Sequence, residues 1–183
     1  MDDLVRDAMA RWPNVPAVHG WLRLDRRGHW MLIDRGQPGF DEALHGQGSE
    51  ITSPQIVDFI NRNYLSDAQG RWFWQNGPQR VFVDLDTAPL VLRVLGSGAQ
   101  AQLVAHTGHP VGRVDAAWMS PEGELLLETV LGPGAIHDLD LAQLALDEDE
   151  TTGLKLSLPG QTLQVRQIGP GEGPRYVRRP RPD

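Results

Sequence analysis

Glycine and proline cut this chain into short pieces. Its 183 residues include 20 Gly and 14 Pro, and both residue types interrupt regular elements. The runs left between them are short, and many are rich in Val, Leu, Trp and Phe, as strands are. The expected fold is α+β: many short, mostly antiparallel strands joined by tight turns, with two or three helices, rather than an alternating βαβ chain. Apolar stretches such as residues 89–92 and 125–127 fall far short of the roughly 20 residues that a membrane span needs. Residues 1–7 (Met-Asp-Asp-Leu-Val-Arg-Asp) are acidic and interrupted, unlike a secretory leader, so a cytoplasmic address is expected.

Residues 1–12 read as an amphipathic helix capped by Asp2 or Asp3, with Leu4, Val5, Ala8, Met9 and Trp12 on one face. Pro13 and Pro16 end it. A hairpin follows, with Gly20–Leu24 and His29–Ile33 flanking the turn Asp25-Arg26-Arg27-Gly28. Ser53-Pro54 opens a second helix whose Ile56, Val57, Ile60 and Tyr64 share a face. Strands are expected at 71–75, 80–85, 90–95, 102–106, 112–119 and 124–131, a short helix at 138–146, and a hairpin at 154–158 and 162–168. The turns Asp25–Gly28, Asp67–Gly70 and Ser120–Gly123 lie in similar surroundings, the layout of a repeated structural motif. Gly96-Ser97-Gly98 is the expected joint. The expected organisation is an N-terminal helix and lead-in at 1–16, a first lobe at 17–95, a second lobe at 99–168, each with a helix, and an Arg/Pro-rich mobile tail at 169–183.

Seventeen Lys and Arg against 24 Asp and Glu leave a net charge of −7. Outside the tail there is no basic face, so nucleic acid is not an expected partner, and neither is a membrane. The run Asp147-Glu148-Asp149-Glu150 reads as a solvated segment, on which the tail could rest. With no cysteine at all, disulfides, thiol nucleophiles and thiolate metal sites are excluded.

Two clusters carry candidate chemistry. In Arg71-Trp72-Phe73-Trp74-Gln75, strand alternation puts Trp72 and Trp74 on one face and Arg71, Phe73 and Gln75 on the other. Asn76, Gln79 and Arg80 would rim a surface suited to a planar or anionic small ligand, or to a protein hot spot. The competing account packs the rings against the 53–63 helix. The second cluster is His106-Thr107-Gly108-His109, two histidines that could share a metal with His137, Asp138 or Asp140. Against it, Thr-Gly and Pro110 make a turn, where paired surface histidines are ordinary. Asp84 and Asp86 sit on one strand face, about 7 Å apart, but Asp86 also begins the turn Asp86-Thr87-Ala88-Pro89.

The run from Ile51 to Leu95 resembles uncharacterised proteobacterial proteins of unknown function. The resemblance rests on Ser53–Phe59, Asp67–Phe73 and the strand Val81-Phe82-Val83-Asp84-Leu85 closing on Asp86-Thr87-Ala88-Pro89, with Thr107–Val111 echoing the start of a second lobe. It implies a two-lobed protein of repeated α/β motifs with a ligand-binding or signalling role, and it carries over no catalytic residue. The resulting expectation is a non-catalytic module, regulatory or signalling in setting, that binds a small ligand or a protein and needs no cofactor. Arg71, Trp72, Trp74, Asn76, Gln79 and Arg80 are its candidate ligand residues. The alternative is a metal-dependent hydrolase using His106, His109 and Asp138. A homo-oligomer with the aromatic strand as interface is the structural option.

Overall fold

The hairpin pattern runs further through the chain than its sequence predicts. The computed structural model describes residues 1–151 and 153–182. Within them lie fifteen strands against three α-helices, and the strands form one six-stranded and one nine-stranded sheet. The chain divides into two units, Met1–Thr87 with residues 176–182, and Ala88–Arg175. Gly96-Ser97-Gly98 lies inside the second unit. Among the described residues no helix is long and apolar enough to cross a membrane.

The first unit contains α1 (Asp3–Arg11), β1 (Val18–Leu24), β2 (Trp30–Leu32), α2 (Glu42–His45), β3 (Ser49–Glu50), α3 (Pro54–Arg62), β4 (Tyr64–Ser66), β5 (Trp72–Asn76) and β6 (Gln79–Leu85). Its sheet runs β3-β2-β1-β6-β5-β4. β1 and β6 pair in parallel at the centre, and the remaining pairs are antiparallel. Val81 through Leu85 are all buried, which requires cover on both faces of the sheet. One face is an aromatic core. Trp30 meets Tyr64 edge-on at 4.9 Å, Tyr64 meets Trp72 at 4.9 Å, and Trp74 meets Phe59 of α3 at 5.8 Å. The helices bury less than their periodicity predicts. In α1 only Val5 is buried, while Leu4 is 82% and Trp12 52% exposed; in α3 only Ile60 is buried.

The second unit contains β7 (Leu90–Leu95), β8 (Gln102–Ala105), β9 (Pro110–Val111), β10 (Val114–Met119), β11 (Leu125–Thr129), β12 (Gly132–Ile136), a 3-10 turn (Asp138–Gln143), β13 (Ala145–Asp149), β14 (Gly153–Leu158) and β15 (Gln161–Gln167). The sheet order is β13-β14-β15-β10-β11-β12-β7-β8-β9, with parallel pairs β10–β15 and β12–β7. Its core is aliphatic, centred on Leu92, Leu125, Leu127 and Leu156.

These sheets correct the α+β expectation: the protein is mostly β, built on two large mixed sheets, and no helix-bearing second lobe exists among its described residues. Two local causes account for the error. The sequence pattern assigns Gly132-Pro133-Gly134 no element, yet it forms part of β12, where Gly134 lies so close to Leu92 that a Cβ there would sit 2.8 Å from that side chain. The leucines of 138–146 suggest a helix, but Asp138–Gln143 makes a 3-10 turn with Leu139 68% exposed, and the chain then extends as β13.

Candidate functional site

Register divides the first sheet into an apolar and a polar face. Phe73 lies opposite Phe82 and Gln75 opposite Arg80, while Arg23 lies beside Asp84. Strand alternation therefore puts Arg23, Arg71, Phe73, Gln75, Arg80, Phe82 and Asp84 on one face. Trp72, Trp74, Val81 and Val83 point to the other, into the aromatic core. On the polar face rings and cations stack. His19 lies flat on Phe82 at 4.6 Å, and Phe73 meets Phe82 at 5.8 Å. The Arg71 guanidinium stands 4.8 Å from the Phe82 ring centre, and that of Arg80 4.0 Å from Phe73, both within cation–π range.

His19, Arg71, Arg80 and Phe82 border a cavity of about 570 Å³. Arg71, Arg80, His19 and Gln75 supply its polar lining; Trp12, Met9, Val15 and Phe82 supply apolar walls, and Pro182 closes part of it. Arg71 is oriented by its own turn. Asp67 accepts from the Arg71 Nε at 2.8 Å and from the backbone N–H groups of Gln69 and Arg71 at 3.0 Å. Burial pushes the Asp67 carboxyl up, but these hydrogen bonds outweigh it and hold its pKa below the ordinary value. Arg80 has no carboxylate partner among the described residues.

Beyond Phe82 on the same face lies Asp84, 3% exposed. The segment 176–182 runs over it. The Val177 N–H donates to the Gly70 carbonyl at 2.9 Å, the Leu85 N–H donates to the Arg178 carbonyl at 2.8 Å, and Pro180 is buried. Arg179 donates to Asp84 Oδ2 at 3.3 Å, and Arg181 stands 3.8 Å from Oδ1. Burial raises the Asp84 pKa above the ordinary carboxylate value, and Arg179, Arg181 and Arg35 pull it part of the way back.

The structure thus brings Arg71 and Arg80 to one cavity and separates Trp72 and Trp74 from them by the thickness of the sheet. Asn76 and Gln79 stand at the β5–β6 turn; Gln79 reaches the Pro16 carbonyl at 3.4 Å, and neither lines the cavity. Sequence reasoning missed His19, Trp12, Phe82 and Pro182. The alternation Arg80–Phe82–Asp84 signals Phe82, whereas His19 depends on the parallel β1–β6 pairing, which no local pattern announces.

His106 and His109 lie in and beside the turn between β8 and β9. The Val91 N–H donates to His106 Nδ1 at 3.2 Å, and His109 Nδ1 is 3.1 Å from the Thr107 hydroxyl. Asp138 accepts from the Leu139 N–H at 2.9 Å in the 3-10 turn, beside His137. Among the described residues no three His, Asp or Glu side chains gather as metal ligands.

No curated protein matches the chain. Two solved structures resemble it. The crystal structure of a DUF1285 family protein from Silicibacter pomeroyi DSS-3 shares 18% identity, covering 92% of this chain and 97% of that one, with a TM-score of 0.54. A DUF1285 family protein from Shewanella baltica OS155 shares 12% identity over 65% of this chain and 85% of its own, with a TM-score of 0.44. At 18% identity the first likeness extends to the fold alone. Residues 1–174 match the family described as "Protein of unknown function (DUF2946)"; with that match spanning nearly its whole length, the chain belongs to that family.

Proposed function

We propose that the protein is a non-catalytic binding module whose first unit takes a small, flat, anionic ligand. One observation carries this reading: two guanidinium groups and an imidazole, each against a phenyl ring or lining the same wall, border a cavity of about 570 Å³. That volume lies within the range of small-molecule sites, which combine apolar walls with a few placed polar groups. Arg71 is pre-oriented by Asp67, so ordering it on binding costs little. Arg80, stacked on Phe73 with no carboxylate partner among the described residues, is the natural counter-charge for a carboxylate or phosphate. Among the described residues the lining contains no Ser, Thr, Asp or Glu, which favours holding a ligand over attacking one.

Calorimetric titration with 2-naphthoate tests the reading, with uncharged 2-naphthalenemethanol as the control. Arg80→Ala removes one charge-assisted contact and is expected to weaken naphthoate binding about ten- to a hundredfold, with little effect on the alcohol. Equal binding of the acid by wild type and Arg80→Ala overturns the assignment.

A further inference from the structure

Among the described residues, Asp84 is the poorly paired charge on the polar face of the first sheet that works against an anionic ligand. Asp84 follows Phe82 on the same side of β6, about 7 Å further along the strand, and its carboxylate is buried where solvent screens it weakly. The neighbouring cations are largely matched by carboxylates of their own: Arg23 with Asp86 at 2.5 Å, Arg35 with Glu42 at 2.6 Å, and Arg71 with Asp67 at 2.8 Å. Arg80, stacked on Phe73, has no carboxylate of its own among the described residues. Arg179 and Arg181 alter that balance. Both belong to the segment 176–182, both face the Asp84 carboxylate, and Pro182 continues from them into the cavity wall.

We propose that the strap 176–182 completes the first unit's cavity as an anion site, because Arg179 and Arg181 offset the charge of Asp84, which otherwise repels an anionic ligand on the same face. This inference rests on the ligand reading above and adds its regulation: with the strap seated the face keeps a cationic excess, and with it lifted Asp84 loses the two strap cations that face it. The strap is not welded in place. Its attachments include two backbone hydrogen bonds, a buried proline and two half-exposed arginines, and terminal segments open more readily than core strands. Ligand and strap are therefore coupled, and whatever lifts the strap lowers affinity for the anion. By reciprocity a bound anion holds the strap down by the same factor.

The test uses the full chain in three forms: wild type, the double variant Arg179→Ala/Arg181→Ala, and the same double variant carrying Asp84→Asn. The double variant is expected to bind 2-naphthoate about tenfold more weakly. Asp84→Asn, which removes the repelling charge without restoring the strap, is expected to return the affinity to near that of wild type. A second measurement needs no variant. Exchange of the Leu85 amide, whose acceptor is the strap's Arg178 carbonyl, is expected to slow about tenfold in wild type at saturating naphthoate.

Unchanged or tighter binding by the double variant overturns the proposal, since the strap is then a bystander or a plug. So does an Asp84→Asn triple variant that stays as weak as the double, or a Leu85 amide indifferent to ligand. A different result marks failure of the underlying reading: naphthoate then binds none of the three forms.

Discussion

Each unit of this protein buries one aspartate beneath an arginine distant in sequence, and the two carboxylates behave in opposite ways. In the second unit Asp140 accepts from Arg93 at 2.6 and 3.3 Å, from the Val94 N–H at 3.0 Å and from Gln143 at 3.3 Å. The Arg93 guanidinium above all, then the Val94 N–H, holds its pKa below the ordinary carboxylate value against the opposing effect of burial. In the first unit Asp84 has one long hydrogen bond, from Arg179, and its Oδ1 has none among the described residues. There burial prevails and the pKa rises. Burial alone does not decide what a carboxylate does; the number of donors fixed before it is buried does. Asp140 is a structural tie between the 3-10 turn and β7, whereas Asp84 is a charge kept in check by a removable segment.

The largest expected effect separates the two by substitution. Asp140→Asn strips the acceptor charge from Arg93 and disturbs the bond from the buried Val94 N–H, so urea denaturation is expected to register a loss of about 2–3 kcal/mol. Asp84→Asn removes a poorly paired buried charge and is expected to change stability by no more than about 1 kcal/mol, in either direction. Comparable losses in both variants would erase the distinction.

Acid titration sharpens the same contrast. A carboxylate with a lowered folded pKa contributes stability that is present above the unfolded value and lost as pH falls through the folded one. The Asp140→Asn deficit is therefore expected to persist from pH 7 down to about 4 and to shrink only below that. For Asp84 the sign reverses. Its folded pKa is raised, so the neutral form suits the fold, and the ionised group costs stability above that pKa. Any advantage of Asp84→Asn at pH 7 is expected to fade as pH falls toward 4. Melting temperatures of the three proteins at half-unit pH steps decide this.

The smallest effect concerns the two faces of the first sheet. Trp74 buries its indole N–H without a hydrogen-bond partner among the described residues, so Trp74→Phe exchanges lost contact area for relief of a desolvated donor. A stability change within about 1 kcal/mol is expected, with naphthoate affinity unaltered. A change in affinity would mean that the aromatic core and the cavity are not insulated by the sheet between them.

How much of this could be read from the residues depends on how local the cause is. The turns Asp25–Gly28 and Asp67–Gly70 are legible because each is self-contained: the Asp side chain accepts from backbone N–H groups two and four positions on, and Gly takes a positive φ at the fourth position. The assignment of Trp72 and Trp74 to one face and Arg71, Phe73 and Gln75 to the other is legible for the same reason. The parallel pairing of β1 with β6 is not, since it joins segments about sixty residues apart and no local pattern records it. Trp12 was expected on a buried helix face because it follows the period of Val5 and Ala8; in the structure it is half exposed at the cavity mouth. The tail was expected to be mobile and able to rest on the acidic run 147–150 of its own chain or of a neighbour. In the structure residues 176–182 lie over the single carboxylate of Asp84, whose importance comes from burial rather than from charge density.

The path of the chain has a consequence for how the protein is made. The first unit is interrupted after Thr87 and receives its strap only from Tyr176 onward, so the whole of the second unit is synthesised in between. At about 5–20 residues per second a ribosome spends several seconds or more on that intervening stretch. Throughout that interval the first unit exists with Asp84 uncovered and the Leu85 amide unmatched. A nascent chain therefore carries an unfinished cavity until its translation has passed the second unit, and under the proposed function ligand capture is a late event in the life of each molecule.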